Sequence, residues 1–222
     1  MKVHHEGRGI LITMFLALAA INAGLLYSFK KCLFTYLVLI ASSVIFLLVL
    51  NFFRSPHRRF GGNFEDSVVA PADGKIVAIE EVFEPEYFKD KRLLVSIFMS
   101  VFNVHANWFP VNGTVKMTRH HKGRFMAAYL PKSSTENERS TTVIERVDGT
   151  EILVRQIAGA MARRIVTYPE VGEEAHIDDH FGFIKFGSRV DVYLPIGTKV
   201  LIEMEQKVTG NQTIIAELPL KA

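Results

Sequence analysis

Two long stretches without a charged residue open the chain. Gly9 to Phe29 is a run of 21 residues and Cys32 to Phe53 a run of 22. Each is long enough to cross a hydrocarbon layer of about 30 Å as a helix. Only Lys30 and Lys31 separate them, which predicts a tight hairpin of two helices, about 9–29 and 32–53, with both outer ends on one face. After Phe60-Gly61-Gly62-Asn63 the pattern changes to short β-branched runs with turn punctuation. Strands are expected at Ser67–Ala70, Lys75–Val82, Leu93–Met99, Gly113–Thr118, Thr141–Arg146, Glu151–Ile157, Asp191–Tyr193, Val200–Val208 and Thr213–Ala216. Within Lys75–Val82 the alternation breaks at Val77 and Ile79, so burial on both faces is expected there. Pro71-Ala72-Asp73-Gly74 reads as a turn, Asp148-Gly149 and Gly210-Asn211 as hairpin signals, and Gly159–Ile165 as a short helix. The predicted fold is a mainly β (α+β) compact domain with short helices, a sandwich or barrel in residues 60–222. An N-terminal transmembrane helical hairpin in residues 1–59 precedes it.

Charge sharpens this division. The formal net charge of +3 hides an asymmetry: residues 1–59 carry seven Lys/Arg and one acid, and residues 60–222 carry 19 basic and 22 acidic residues. A mildly acidic globular part argues against a nucleic-acid partner. Lys2, Arg8, Arg54, Arg58 and Arg59 flank the outer ends of the hairpin and two lysines its turn. The positive-inside tendency then puts the termini and the globular domain on the cytoplasmic side. The alternative is a cleaved signal peptide, with Ala17-Leu18-Ala19 as the cleavage region, but the second run would still remain as an anchor. The lone cysteine, Cys32, excludes an intrachain disulfide and a Cys-based zinc site.

The eight histidines sort by surroundings. His4, His5 and His57 flank the anchor. His120 and His121 lie in the basic stretch Arg119-His120-His121-Lys122, which reads as a solvated or anion-facing loop. His176 and His180 bracket Asp178 and Asp179, but Glu173–His180 is polar enough to read as an exposed connection, and no metal is expected there. His105 follows an apolar strand in an aromatic setting. Taken alone it reads as a hydrogen-bonded core histidine, and Asp73 taken alone reads as a turn aspartate capping its own backbone. Phe186-Gly187-Ser188-Arg189-Val190-Asp191 reads either as a glycine bulge entering a strand or as a Gly-Ser peptide open to attack. Glycine leaves its carbonyl sterically accessible, and a serine hydroxyl beside it can attack once a base takes its proton. Such a base needs an orienting acid, so Ser, His and Asp would act as a unit. No spacing rule brings these three together.

Several blocks in order carry a resemblance. They are Phe52-Phe53-Arg54-Ser55-Pro56, Ala70-Pro71-Ala72-Asp73-Gly74, Asn103-Val104-His105 with Pro110-Val111-Asn112-Gly113, and Asn137-Glu138-Arg139. After them come Gln156-Ile157-Ala158-Gly159, Ala162-Arg163-Arg164-Ile165 and Phe181 through Asp191. In these blocks the chain resembles the short, membrane-anchored phosphatidylserine decarboxylases. The resemblance implies a self-processing proenzyme of phospholipid biosynthesis. Ser188 would attack the Gly187 carbonyl and become a pyruvoyl group, giving a β chain 1–187 and an α chain 188–222 of 35 residues. The pyruvoyl cofactor, made from the chain itself, would form a Schiff base with the serine amine of phosphatidylserine. It would accept electrons from the breaking C–CO₂ bond, and phosphatidylethanolamine would be released.

Carried over by position, Asp73 is the residue that orients the base, His105 the base and proton donor, and Ser188 the pyruvoyl precursor. Longer family members carry a second histidine three positions after His105; here Trp108 stands there, so the resemblance leaves open whether His105 serves both proton transfers. Arg139, Lys185 and His121 are candidate contacts for the substrate carboxylate and phosphate. The implied setting is the cytoplasmic side of the inner membrane, with a homo-oligomer left open. Three other readings share these residues. One is a decarboxylase of a related serine ether phospholipid. Another is a non-cleaved membrane-tethered barrel-type binding module. The third is a membrane-anchored hydrolase, which would lack the Gly-x-Ser-x-Gly elbow.

Overall fold

The computed structural model describes residues 2–29, 32–126, 128, 133–159, 164–185 and 188–219. The chain divides into two compact units, Met1–His57 and Arg58–Ala222.

In the first unit β1 (Lys2–Val3) leads into α1 (His5–Phe29), followed by α2 (Leu33–Phe52) and β2 (Arg54–Ser55). Both helices are long and apolar enough to cross a membrane, with mean hydropathy 2.2 and 2.7. They pack on each other, with the Phe15 and Phe46 rings 5.9 Å apart and the Ser42 hydroxyl 3.3 Å from Asn22 Oδ1. Their outer ends are joined as well. β1 pairs with β2, and the His4 amide donates to the Phe53 carbonyl at 2.8 Å. Gly7 permits this approach, since a Cβ there would fall 2.3 Å from the Phe53 ring. The result is the hairpin that the two uncharged runs predict.

The second unit is mostly β. In chain order it contains β3 (Ser67–Val69), β4 (Gly74–Glu84), β5 (Asp90–Met99), β6 (Ala106–Trp108), β7 (Gly113–His121), the short α3 (Ser133–Glu136), β8 (Arg139–Glu145) and β9 (Glu151–Ala158). Then follow β10 (Arg164–Thr167), β11 (Glu174–Ala175), β12 (His180–Lys185), β13 (Ser188–Leu194), β14 (Lys199–Val200), β15 (Lys207–Val208) and β16 (Ile214–Glu217). Among the described residues these form a curled antiparallel eight-stranded sheet, β11-β7-β8-β9-β13-β5-β4-β15. Two three-stranded sheets, β10-β12-β6 and β14-β16-β3, accompany it. One apolar core lies between them, built from residues such as Ile76, Ile97, Val154, Val190, Phe181 and Ile215. The central strand of the large sheet is β13, held by β5 on one side and β9 on the other and buried along its whole length.

A bulge explains the broken alternation in Lys75–Val82. The β4–β5 register shifts between Ile76 and Ala78, so Ile76 faces Ile97 and Ile79 faces Val95, both on the core side. The Asp148-Gly149 hairpin joins β8 to β9, with Gly149 at φ 75°. Elsewhere long-range pairing overrides local signals. Arg164 and Ile165 open β10 instead of closing a helix, because pairing with β12 buries Ile165 opposite Ile184; residues 160–163 of that expected helix lie outside the described residues. Val200–Val208 is not one strand. A turn with Glu205 at φ 69° splits it into β14 and β15, which join different sheets. The turn at Gly210-Asn211 is real, but it makes no hairpin, since β15 pairs with β4 while β16 pairs with β3 and β14. Glu173–His180 is more than an exposed connection: β11 pairs with β7 there, and Ala175 and Ile177 are buried. His120 and His121 end a strand and do not lie in a loop.

Candidate active site

The site grows from the end of β5. Its last residue, Met99, stands directly opposite Ser188, the first residue of β13, and Ser188 stands opposite Ala158, the last residue of β9. Facing residues of a ladder share a side of the sheet, so Ser188 points into the core with Met99 and Ala158. Its hydroxyl is fully buried and lies 3.2 Å from Met99 Sδ. Arg189 and Asp191 therefore point to the outer face. There Arg189 donates to both Asp191 oxygens at 2.5 and 3.1 Å and to the Ser96 hydroxyl at 2.7 Å, and Ser134 of α3 donates to Asp191 at 2.8 Å.

Beyond Met99 the chain reverses tightly. Asn103 Oδ1 accepts from the Ser100 amide at 2.9 Å and the Ser100 hydroxyl at 2.8 Å, and the Asn103 amide returns to the Ser100 carbonyl at 3.0 Å. The turn delivers His105 into the interior, with no exposed surface. Its Nδ1 lies 3.0 Å from the Asn103 carbonyl oxygen. A carbonyl can only accept, so in the neutral ring Nδ1 carries the proton and Nε2 the basic lone pair. The His105 carbonyl accepts from the Ile184 amide at 3.2 Å, which ties this residue to β12 one residue before Lys185. His105 is thereby held to the end of β12, and Ser188 begins β13. Between the two strands Phe186 and Gly187, the latter expected to form the scissile bond, lie outside the described residues.

A chain of buried amides backs Met99. Asn107 donates to Met99 Sδ at 3.7 Å and accepts from Gln156 Nε2 at 2.8 Å, and the Thr167 hydroxyl lies 2.9 Å from Gln156 Oε1. Gly182 is required beside it, because a Cβ there would lie 2.5 Å from Gln156 Nε2 and from the Val166 carbonyl.

Asp73 does not cap its own turn. Its carboxylate accepts from Arg58, from the Gly210 amide at 2.8 Å and from the Val104 amide at 3.4 Å. It is thereby bound to the residue preceding His105. Trp108 lies close by, its ring 5.1 Å from the Arg58 guanidinium and 4.9 Å from His180.

The three candidate substrate cations separate. Lys185 ends β12 and is nearly buried. Arg139 and His121 are opposite each other on β8 and β7, on the outer face, whereas Ser188 faces inward. Arg139 donates to the Thr135 carbonyl at 2.6 Å, and burial with the nearby Arg155 charge pushes its guanidinium below the usual range. His121 Nε2 lies 2.6 Å from Glu86 Oε1. Glu86 belongs to a buried polar cluster. In it Arg155 reaches Glu84 at 2.8 Å, Glu86 at 2.9 Å and the Tyr193 hydroxyl at 2.8 Å. Burial, followed by the Asp191 charge, pushes the Tyr193 phenol well above its ordinary value, so it stays protonated. No group of three or more metal-ligating side chains occurs among the described residues.

Sequence reasoning missed Arg58, Met99, Asn107 and Gln156. The position of Arg58 just after the second uncharged run made its charge look like a topology signal. The other three are neutral core residues whose relation to Ser188 exists only through strand register.

Known proteins resemble this chain in sequence. The sequence matches a family model described as phosphatidylserine decarboxylase over residues 45–216. A phosphatidylserine decarboxylase proenzyme of Parabacteroides distasonis is 66% identical over 218 residues, covering 98% of this chain and 99% of that protein. The protein of the same description from Bacteroides thetaiotaomicron is 62% identical, covering 98% of this chain and 96% of its own length. One from Cytophaga hutchinsonii is 48% identical, covering 98% and 99%.

Proposed function

The chain belongs to the phosphatidylserine decarboxylase family, whose members are carboxy-lyases, and from that premise we propose how its own residues perform the reaction. It is a proenzyme that cuts itself between Gly187 and Ser188. It then converts phosphatidylserine to phosphatidylethanolamine and CO₂ with a pyruvoyl group derived from Ser188. The observation that carries this reading is the place of Ser188: a buried hydroxyl on the first residue of a strand pinned on both sides, with His105 buried and bonded through its carbonyl to Ile184 of the preceding strand. A cut before residue 188 frees no strand, and β13 stays clamped between β5 and β9. The α chain also brings β14, β15 and β16, so the two products remain one folded domain.

In this reading His105 Nε2 takes the Ser188 proton as the oxygen attacks the Gly187 carbonyl carbon. The C–N bond breaks, the released amine takes up the proton, and an ester joins Gly187 to the Ser188 side chain. Removal of the Ser188 α proton then expels the Gly187 carboxylate as the new end of the β chain and leaves a Cα=Cβ bond. Water hydrolyses the resulting enamine, ammonia leaves, and residue 188 ends as a ketone. The site fits that group: the position is closed to bulk water, apolar at Met99 and Ala158, and backed by the Asn107 and Gln156 amides. When formed, the pyruvoyl ketone supplies the electron sink for the breaking C–CO₂ bond. His105 then returns a proton to the α carbon of the head group. Lys185, on the strand entering the cut, holds an anionic group of the substrate; Arg139 and His121 lie on the outer face, away from the side to which Ser188 points, and contribute less. The domain from residue 60 onward is the catalytic one. The helical hairpin anchors it to the cytoplasmic side of the inner membrane, where the lipid's acyl chains remain in the bilayer.

The test uses the full chain in mixed micelles with phosphatidylserine. The expected result is CO₂ and phosphatidylethanolamine in equal amounts, abolished by Ser188→Ala and by a carbonyl reagent such as hydroxylamine. Turnover that survives both would remove Ser188 and the pyruvoyl group from the mechanism.

A further inference from the structure

The carboxylate of Asp73 is filled by donors other than an imidazole. Oδ1 accepts from Arg58 Nη1 at 2.5 Å and from the Gly210 amide at 2.8 Å. Oδ2 accepts from Arg58 Nη2 at 3.0 Å and from the Val104 amide at 3.4 Å. A carboxylate offers about four lone-pair sites, so these four donors occupy it fully. The Nδ1 of His105 addresses the Asn103 carbonyl instead. Arg58 is itself fixed: Nη1 also donates to the Gly210 carbonyl at 2.9 Å, the guanidinium lies on the Trp108 ring, and Asn211 Nδ2 donates to the Arg58 carbonyl at 3.3 Å. The two charged side chains are only 13% and 12% exposed, so neither charge tolerates loss of the other.

We infer that Arg58 is a positioning residue for self-processing: paired with Asp73, it holds the Val104 amide and so the segment carrying His105, and Asp73 acts through this main-chain contact and not through the His105 ring. The same carboxylate binds Gly210, which lies beyond the cut. One ion pair therefore gathers the bend before β4, the His105 segment and the future α chain. The inference rests on the reading of Ser188 as a self-cleaving residue.

The experiment follows cleavage of the full-length chain by mass spectrometry, across pH, after cell-free synthesis into micelles. Arg58→Gln and Asp73→Asn each slow cleavage about tenfold or more, a rise of about 1.4 kcal/mol in the barrier. The double variant is no slower than the slower single, because the pair acts as a unit. Arg58→Lys, which keeps the charge, recovers part of the rate. The pH midpoint of Asp73→Asn stays at the wild-type value, whereas loss of a carboxylate bonded to the catalytic ring would move it. If Arg58→Gln fails to fold, the double variant decides, since it buries no lone charge: it must fold and cleave slowly with an unmoved midpoint. Wild-type cleavage by Arg58→Gln, effects that multiply in the double variant, or a shifted Asp73→Asn midpoint would each overturn the inference alone. A wild-type chain that never cleaves overturns the function reading and this inference with it.

Discussion

The Ser188 hydroxyl donates to the Met99 thioether at 3.2 Å from directly across the ladder. Sulfur is a weak acceptor, so this contact orients the hydroxyl without making it a nucleophile. Met99→Leu keeps the volume and removes the sulfur. The chain should still cleave, within about tenfold of the wild-type rate, the scale of a volume-conserving swap of under about 1.5 kcal/mol. A time course by gel checks it; a Met99→Leu chain that never cleaves would make the sulfur a participant.

Gly74 follows Asp73 at the start of β4. A Cβ there would lie 2.3 Å from the Phe98 carbonyl oxygen and 2.7 Å from Ile97 Cγ2, and the backbone oxygen cannot yield. Gly74→Ala should destabilise the domain by about 1–3 kcal/mol and slow cleavage, because β4 must lift from β5 next to Asp73. Thermal melting and the cleaved fraction report the two effects separately.

Arg155 is 2% exposed and faces Glu84, which is fully buried, and Glu86. Arg155→Ala strands those carboxylates and should cost about 3–5 kcal/mol, whereas Arg155→Met combined with Glu84→Gln should cost less, since the fully buried Glu84 charge is gone and Glu86 keeps His121. Denaturant unfolding of both variants in the uncleaved Ser188→Ala background makes the comparison. Equal losses would mean that the charges do not depend on each other.

The same cluster sets an acid limit. Burial opposes ionisation of Glu86, but the His121 hydrogen bond, the Arg155 charge and the Thr141 hydroxyl outweigh it and hold the carboxyl below its ordinary value. A carboxylate depressed in the folded state contributes stability that is fully present above its unfolded value of about 4.3 and is lost as pH falls through the folded value. The melting temperature of Ser188→Ala should therefore fall on acidification below about pH 4.3, and Glu86→Gln should lessen that fall. An identical acid slope in the two would remove Glu86 from the linkage.

What the sequence shows and hides follows from the range of the forces involved. The helical hairpin is legible because 21 and 22 uncharged residues in a row have few alternatives. The β8–β9 hairpin is legible because Asp148-Gly149 sets it locally. β10 is hidden, because the pairing of Ile165 with Ile184 comes from a strand some 20 residues away and defeats a local helical pattern. Gly210-Asn211 misleads for the same reason: the turn is local, but the partners of its flanking strands are β4 and β3, far back in the chain. Ser188, His105 and Asp73 stand out as candidates only through the family blocks, since strand register alone brings Ser188 to Met99 and the turn after Met99 brings His105 into the interior. The Arg58–Asp73 pair could not be read, because nothing near Arg58 in sequence announces a carboxylate partner at position 73.

The intact mass of the purified full-length protein decides whether the chain cuts itself at Ser188. Two chains are expected, one ending at Gly187 and one of 35 residues starting at position 188. The smaller chain should be lighter by one ammonia than a chain beginning with serine, and Ser188→Ala should give a single uncut mass. A folded wild-type protein that stays at 222 residues, or a smaller chain that begins with an ordinary serine, would contradict it.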